Sequence, residues 1–227
     1  RRNEARIQRL NRSYAVLSGV NEAVVRLRDR DALFTEVCRI TTQAGGFSLS
    51  WIGLVDEASG RVSPQAHAGR SDGYVDSLQL TIGAPDAQVH SSLVAQALHH
   101  RRARVIQDVA ASTELPRMQQ RLLAQGHRSL AAFPILPAGG QRLVLVVYSA
   151  TVGHFDDEQV TLFDRLAQDV AFALEFIAAD QARAEAQHFR EQLIESVAGL
   201  FFALDARGHL VLWNRQLEVV SGHPHEV

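Results

Sequence analysis

Residues 141–174 read QRLVLVVYSATVGHFDDEQVTLFDRLAQDVAFAL, and the fold follows from the two patterns joined there. From Leu143 to Ala150 the run LVLVVYSA is aliphatic, β-branched and uncharged, the composition of a strand covered on both faces or central in a sheet. Asp156 or Asp157 can cap a following helix, in which Val160, Phe163, Leu166, Ala167, Val170, Leu174 and Ile177 recur at steps of three and four. One stripe of that helix is thereby committed to the sheet. Beyond it, AADQARAEAQHFREQLIESV is rich in good helix formers and carries Phe189, Leu193 and Val197 at intervals of four. The spacing predicts one helix from Asp157 to Val197, about 60 Å long at 1.5 Å per residue. One small domain cannot bury such a helix, so it is a linker or half of a coiled coil.

Toward the amino terminus, Ser129 to Leu136 reads as the strand that forms a hairpin with Leu143–Ala150 through the glycines at 139 and 140. Before it stand a short helix from Leu115 to Gln125, a very short strand at Arg104–Gln107 and a helix from Pro85 to His99. The segment Gly69–Ala84 mixes turn signals with one short alternating stretch, Leu78-Leu80-Ile82, and is long enough to cross the sheet and close over a cavity. Phe47–Val55 and Arg61–Ala68 form a first hairpin, with Pro64 indicating an edge or a bulge. Asn21 to Ala44 is helical, with a corner at Arg28–Asp31 and Gly45-Gly46 as its stop. Residues 1–18 are an arginine-rich helix whose apolar seam is Ile7, Leu10, Tyr14 and Leu17.

After the long helix, Leu200–Leu204 and His209–Trp213 read as two strands, and Asn214 caps a further helix. The whole is an α+β fold, a central antiparallel sheet with helices packed on it and long helices at both ends. The expected divisions are an amino-terminal coiled-coil-like helix at 1–19, a domain at 20–177, a helical linker at 178–197 and the start of a second domain at 198–227. The chain opens without methionine and stops just after the turn-like SGHPHEV, so it is expected to be a piece of a longer polypeptide.

Charge narrows the partners. Twenty-five acidic residues against 23 Lys and Arg give a formal net charge of -2, which offers no strong field toward nucleic acid. The arginine cluster at 101, 102 and 104 reads as surface chemistry. The single cysteine, Cys38, excludes an internal disulfide framework and an all-cysteine metal site. No stretch is apolar enough to span a bilayer and no signal sequence is evident, so the expected location is cytoplasmic.

Catalytic chemistry finds no foothold. The histidines are scattered over different elements and His99-His100 are neighbours, not the i,i+4 pair of a helical metal site. No glycine-rich phosphate loop follows a strand, no serine stands in a nucleophile elbow, and Asp156-Asp157 read as cap residues. A ligand cavity between the sheet and the crossing segments 69–125 could be lined by Trp51, His67, Tyr74, His90, Met118, Phe133 and Tyr148, although each taken alone reads more readily as a core or rim residue. The dimer or signalling helices are expected to be marked by Ile7, Leu10, Tyr14, Leu17, Val170, Ile177, Phe189, Leu193 and Val197.

Taken together, LSGVNEAVVRLRDRDALFTEVCRI, FSLSWIGLVDEASGRV, VAQALHHRRARVIQDV, LAQGHRSLAAFPI and LVLVVYSATVGHFDDEQVTLFDRLAQDVAFALE resemble a GAF domain over residues 20–177. EQLIESVAGLFFALDARGHLVLWN resembles the first hairpin of a PAS domain, with Asp205, Gly208 and Asn214 in its D..G.....N pattern. The resemblance implies a non-catalytic sensory and dimerisation module of a bacterial signalling protein, needing no cofactor. It would respond to a small-molecule ligand or a partner, and would pass the signal along its terminal helices to an output domain further on. Alternatives are the regulatory part of a histidine kinase, diguanylate cyclase or cyclic-di-GMP phosphodiesterase, or a structural spacer without a ligand. The NKFDE-like set of cyclic-nucleotide-binding members is not found. Cys38 does not match the pocket cysteine of bilin-binding members, and one cysteine cannot supply the reactive set of free methionine sulfoxide reductases.

Overall fold

The computed structural model describes residues 2–82, 92–115 and 118–222, with side chains from residue 11 onward. The chain divides into two compact units, Arg1–Ile177 and Ala178–Val227. In the first, helices α1 (Arg2–Arg26) and α2 (Arg30–Gln43) precede strands β1 (Leu49–Val55), β2 (Arg61–Gly69) and β3 (Leu80–Thr81). Helix α3 (Leu93–His100), β4 (Arg104–Ile106), α4 (Gln119–Ala124), β5 (Ser129–Ile135) and β6 (Leu143–Ser149) follow, and α5 runs from Asp157 to Glu195. The strands form one antiparallel sheet in the order β3-β2-β1-β6-β5-β4.

Strand β6 is central, and all seven of its residues are buried. Side-chain alternation divides them between two cores. Leu143, Leu145 and Val147 face the helices, where Leu33, Phe34 and Val37 of α2 and Phe163, Leu166, Val170, Leu174 and Ile177 of α5 cover them. Val144, Val146 and Tyr148 face the other way, under a cover that includes Tyr74, Leu93, Ala97, Leu98 and Leu122.

Helix α1 differs from the expected separate amino-terminal element. It continues unbroken through residue 19 to Arg26, and Val16, Val20 and Ala23 are buried in the helix-side core. The break falls at Leu27–Asp29, where the Asp29 carboxylate caps α2 by accepting from Ala32 N at 2.7 Å. Asp156 caps α5 in the same way, accepting from Gln159 N at 2.9 Å. The Gln159 side chain then donates to Ser13 Oγ at 2.6 Å, a buried polar contact between α5 and α1. Pro64 sits beside a bulge, for the β1–β2 register jumps from Ile52↔Ala66 to Gly53↔Pro64.

The second unit holds the last part of α5, an antiparallel pair β7 (Phe202–Leu204) and β8 (Leu210–Trp213), and helix α6 (Arg215–Ser221). Asn214 organises it. Its Oδ1 accepts from Phe201 N at 3.0 Å and from Leu217 N at 3.3 Å, while Nδ2 donates to Gly199 O at 2.7 Å. Asp205 Oδ1 closes the β7–β8 turn by accepting from Arg207 N and His209 N, which holds its carboxyl below the usual range. Phe202, Leu204 and Val211 of the hairpin are exposed.

Candidate functional site

Two features among the described residues can carry function. The first is the sheet face away from α5. Trp51 of β1 and Tyr148 of β6 project from it on adjacent strands, and the indole Nε1 donates to the Tyr148 hydroxyl at 3.2 Å. The Tyr74 and Tyr148 hydroxyls are 3.2 Å apart, and the Tyr74 hydroxyl donates to Met118 Sδ at 3.5 Å. Four residues far apart in sequence thus share one hydrogen-bonded chain, closed at one end by an indole and at the other by a thioether. Arg121 lies 5.3 Å over the Tyr74 ring.

Burial, then the neighbouring Tyr74, pushes the Tyr148 phenol well above its ordinary range, and burial raises Tyr74 as well. Both are neutral hydrogen-bonding groups. His127, which the sequence did not single out, is fully buried beside them. Its ring centroid is 5.1 Å from that of Tyr148, and its Nδ1 is 2.8 Å from Ser48 Oγ. Burial lowers its pKa, favouring the neutral imidazole.

The remaining sequence candidates separate. His67 pairs with Trp51 across β1–β2, so it shares this face, but it is exposed on the rim, 4.0 Å from Asp76. His90 lies outside the described residues. Phe133 belongs to the opposite core: it is paired with the helix-facing Leu145, and its ring stacks on Phe163 at 5.2 Å. Leu130 and Ala132 are the β5 residues that face Tyr148, because neighbours along a strand point to opposite sides. Among the described residues no three His, Cys, Asp or Glu side chains are grouped to hold a metal ion. Cys38 is buried, and its thiol is pushed up to about 12 by that burial.

The second feature is the outer surface of α1 and α5. Val170 and Ile177, named with the dimer or signalling helix, are buried and belong to the stripe that holds α5 to the sheet. Phe172 and Phe176 point outward instead, 68% and 47% exposed, with the Arg28 guanidinium 4.7 Å over Phe176. Phe189, Leu193 and Val197 are exposed. The signal for the missed pair lay in the spacing. Phe172, Ala179, Ala186 and Leu193 follow one another every seven residues, and so do Phe176, Arg183, Arg190 and Val197. On α1, Tyr14 is exposed and Leu17 is half-buried; with Thr161, Leu162 and Arg165 of α5 they line an open groove of ≈ 720 Å³. The side chains of Ile7 and Leu10 lie outside the described residues.

Residues 28–175 match the family model described as GAF domain, and the chain belongs to this family, whose members are sensory modules of signalling proteins. The structure is similar to the GAF domain of a phosphoenolpyruvate-protein phosphotransferase from Coxiella burnetii, with a TM-score of 0.61, 16% identity and coverage of 76% of this chain and 98% of that one. It is also similar to a free methionine-R-sulfoxide reductase from Neisseria meningitidis, with a TM-score of 0.59, 21% identity and coverage of 75% and 91%. A methyl-accepting chemotaxis protein segment gives a TM-score of 0.57 at 19% identity, covering 72% of this chain and 99% of that one. At such identities the likeness shows the fold alone. No curated protein sequence matches the chain. Among the described residues no helix is long and apolar enough to cross a membrane.

Proposed function

We propose that this chain is the non-catalytic input and dimerisation part of a signal-transduction protein, and that α5 is the element through which the input leaves the first unit. The observation that carries the reading is the double character of α5. Its residues Phe163, Leu166, Val170, Leu174 and Ile177 are buried on the sheet, while Phe172, Ala179, Ala186 and Leu193 form a seven-residue repeat on the uncovered side. A sustained heptad repeat is the pattern of a helix paired with another helix. A second copy of α5, running parallel, supplies that partner. A ligand or partner that alters how α5 seats on the sheet then biases the pairing, provided it binds the two arrangements with different affinity.

The second unit fits the opening of a PAS domain, with Asp205, Gly208 and Asn214 closing the turn and capping α6. An output domain such as a histidine kinase, diguanylate cyclase or cyclic-di-GMP phosphodiesterase is the finer form of this proposal. One observation favours the spacer reading instead: Trp51, Tyr74, Met118 and Tyr148 satisfy one another, and Trp51, Tyr74 and Tyr148 are buried.

Sedimentation equilibrium tests the dimer. Residues 1–227 should sediment as a dimer at micromolar concentration, and Phe172→Glu, which places a charge on the repeat without touching either core, should give a folded monomer. A wild-type monomer at high micromolar concentration would overturn the proposal.

A further inference from the structure

A cleft at the edge of the sheet shares no residue with the sheet-face cluster. Strand β4 begins at Arg104, opposite Ala132, so the β5 edge beyond Ala132 has no strand beside it. Pro134, which has no N–H to leave unpaired, lies on that open edge. Between it, α5 and the turn that follows α3 is a cleft of ≈ 220 Å³, lined by Arg101, Arg102, Pro134, Leu136, Asp164, Ala167, Gln168 and Ala171.

Arg101 and Arg102 are exposed and neither guanidinium makes an ion pair among the described residues, while the half-buried Asp164 carboxylate has no hydrogen-bond or ion-pair partner there. Partial burial holds the Asp164 carboxyl above its usual range. Arg101 ends α3 in the left-handed conformation, at φ 53, where glycine would sit without strain. A guanidinium thus stands at a position that favours a residue with no side chain.

We propose that this cleft binds a small zwitterion of the α-amino-acid class, its carboxylate on Arg101 and Arg102 and its ammonium on Asp164. Two guanidiniums match a carboxylate through paired N–H donors. A cation with no carboxylate leaves the arginines unpaired, and an anion with no ammonium meets the Asp164 charge. Pro134, Leu136, Ala167 and Ala171 form an apolar wall for the ligand's side chain.

The test is a thermal-shift screen of residues 1–227 against the free proteinogenic L-amino acids, followed by titration calorimetry of the best binder with its carboxamide and its deaminated acid. The proposal expects at least one amino acid to bind and both analogues to fail. Arg101→Gly, which relieves the strained backbone and so keeps the fold, should weaken binding at least about tenfold, the scale of one charge-assisted hydrogen bond. Asp164→Asn should do the same. Absence of binding at millimolar amino acid, or a binder indifferent to both substitutions, overturns the site. Neither result bears on the oligomeric state that tests the proposed function.

Discussion

The Trp51 indole N–H and the Tyr148 hydroxyl, 97 residues apart in sequence, meet at 3.2 Å on one face of the sheet. The contact ties β1 to β6, and through Tyr148 it ties the central strand to Tyr74 in the crossing segment. A polar chain buried this completely is stable only while each donor keeps its acceptor.

Tyr148→Phe should therefore cost about 1–3 kcal/mol, because it leaves the Trp51 N–H buried without an acceptor while scarcely changing volume. Urea unfolding of wild type and variant measures the difference. A loss within error of zero would mean that the indole finds another acceptor.

His127 makes stability depend on acid. Its folded pKa lies below the ordinary histidine value because burial penalises the imidazolium, with Arg70 and Asp72 as the neighbouring charges. The unfolded chain consequently binds a proton that the folded chain refuses. The contribution is fully present above about pH 6.5 and is lost as pH falls below that, at up to about 1.4 kcal/mol per pH unit. Urea midpoints at pH 7 and pH 5 should converge in His127→Gln relative to wild type. An unchanged pH dependence would place the acid sensitivity elsewhere.

Cys38 should be silent toward thiol reagents in the folded protein, since burial removes access and pushes the thiol up to about 12. Full labelling should follow unfolding in urea. Rapid labelling of the native chain at pH 8 would mean that α2 separates from the sheet far more readily than its packing indicates.

Much of this architecture was legible in the sequence, and the failures share a cause. LVLVVYSA identified the central strand because a strand buried on both faces carries no alternation to misread. The side that Phe133 takes was not legible for the same reason. SLAAFPI is apolar on both faces, so composition could not say which side Phe133 takes, and only its pairing with Leu145 decides it. On α5 the three-and-four spacing marked the stripe that includes Val170 and Ile177 and is held to the sheet, but gave no sign that Phe172 and Phe176 lie on the uncovered side. His127 was missed because its role comes from Ser48 and Tyr148, which no local pattern connects to it.

In the second unit, Asn214→Ala should remove both the cap of α6 and the tie to the Phe201 amide, at a cost of about 1–2 kcal/mol. Hydrogen exchange should report faster exchange at the Phe201 and Leu217 amides, with the first unit unaffected. Equal protection in the variant would show that the cap and the tie are dispensable.

The claim that α5 pairs with its own copy along the seven-residue repeat is tested most directly by disulfide formation on that helix. Ala184 and Ala186 are both exposed alanines two residues apart, but only Ala186 lies on the repeat with Phe172 and Leu193. With Cys38→Ser as background, Ala186→Cys should form an interchain disulfide under mild oxidation, because facing positions of a parallel pair fall within the roughly 4.4–6.8 Å Cα spacing a disulfide needs. Ala184→Cys should not. Equal cross-linking of the two variants, or none in either, would contradict the account.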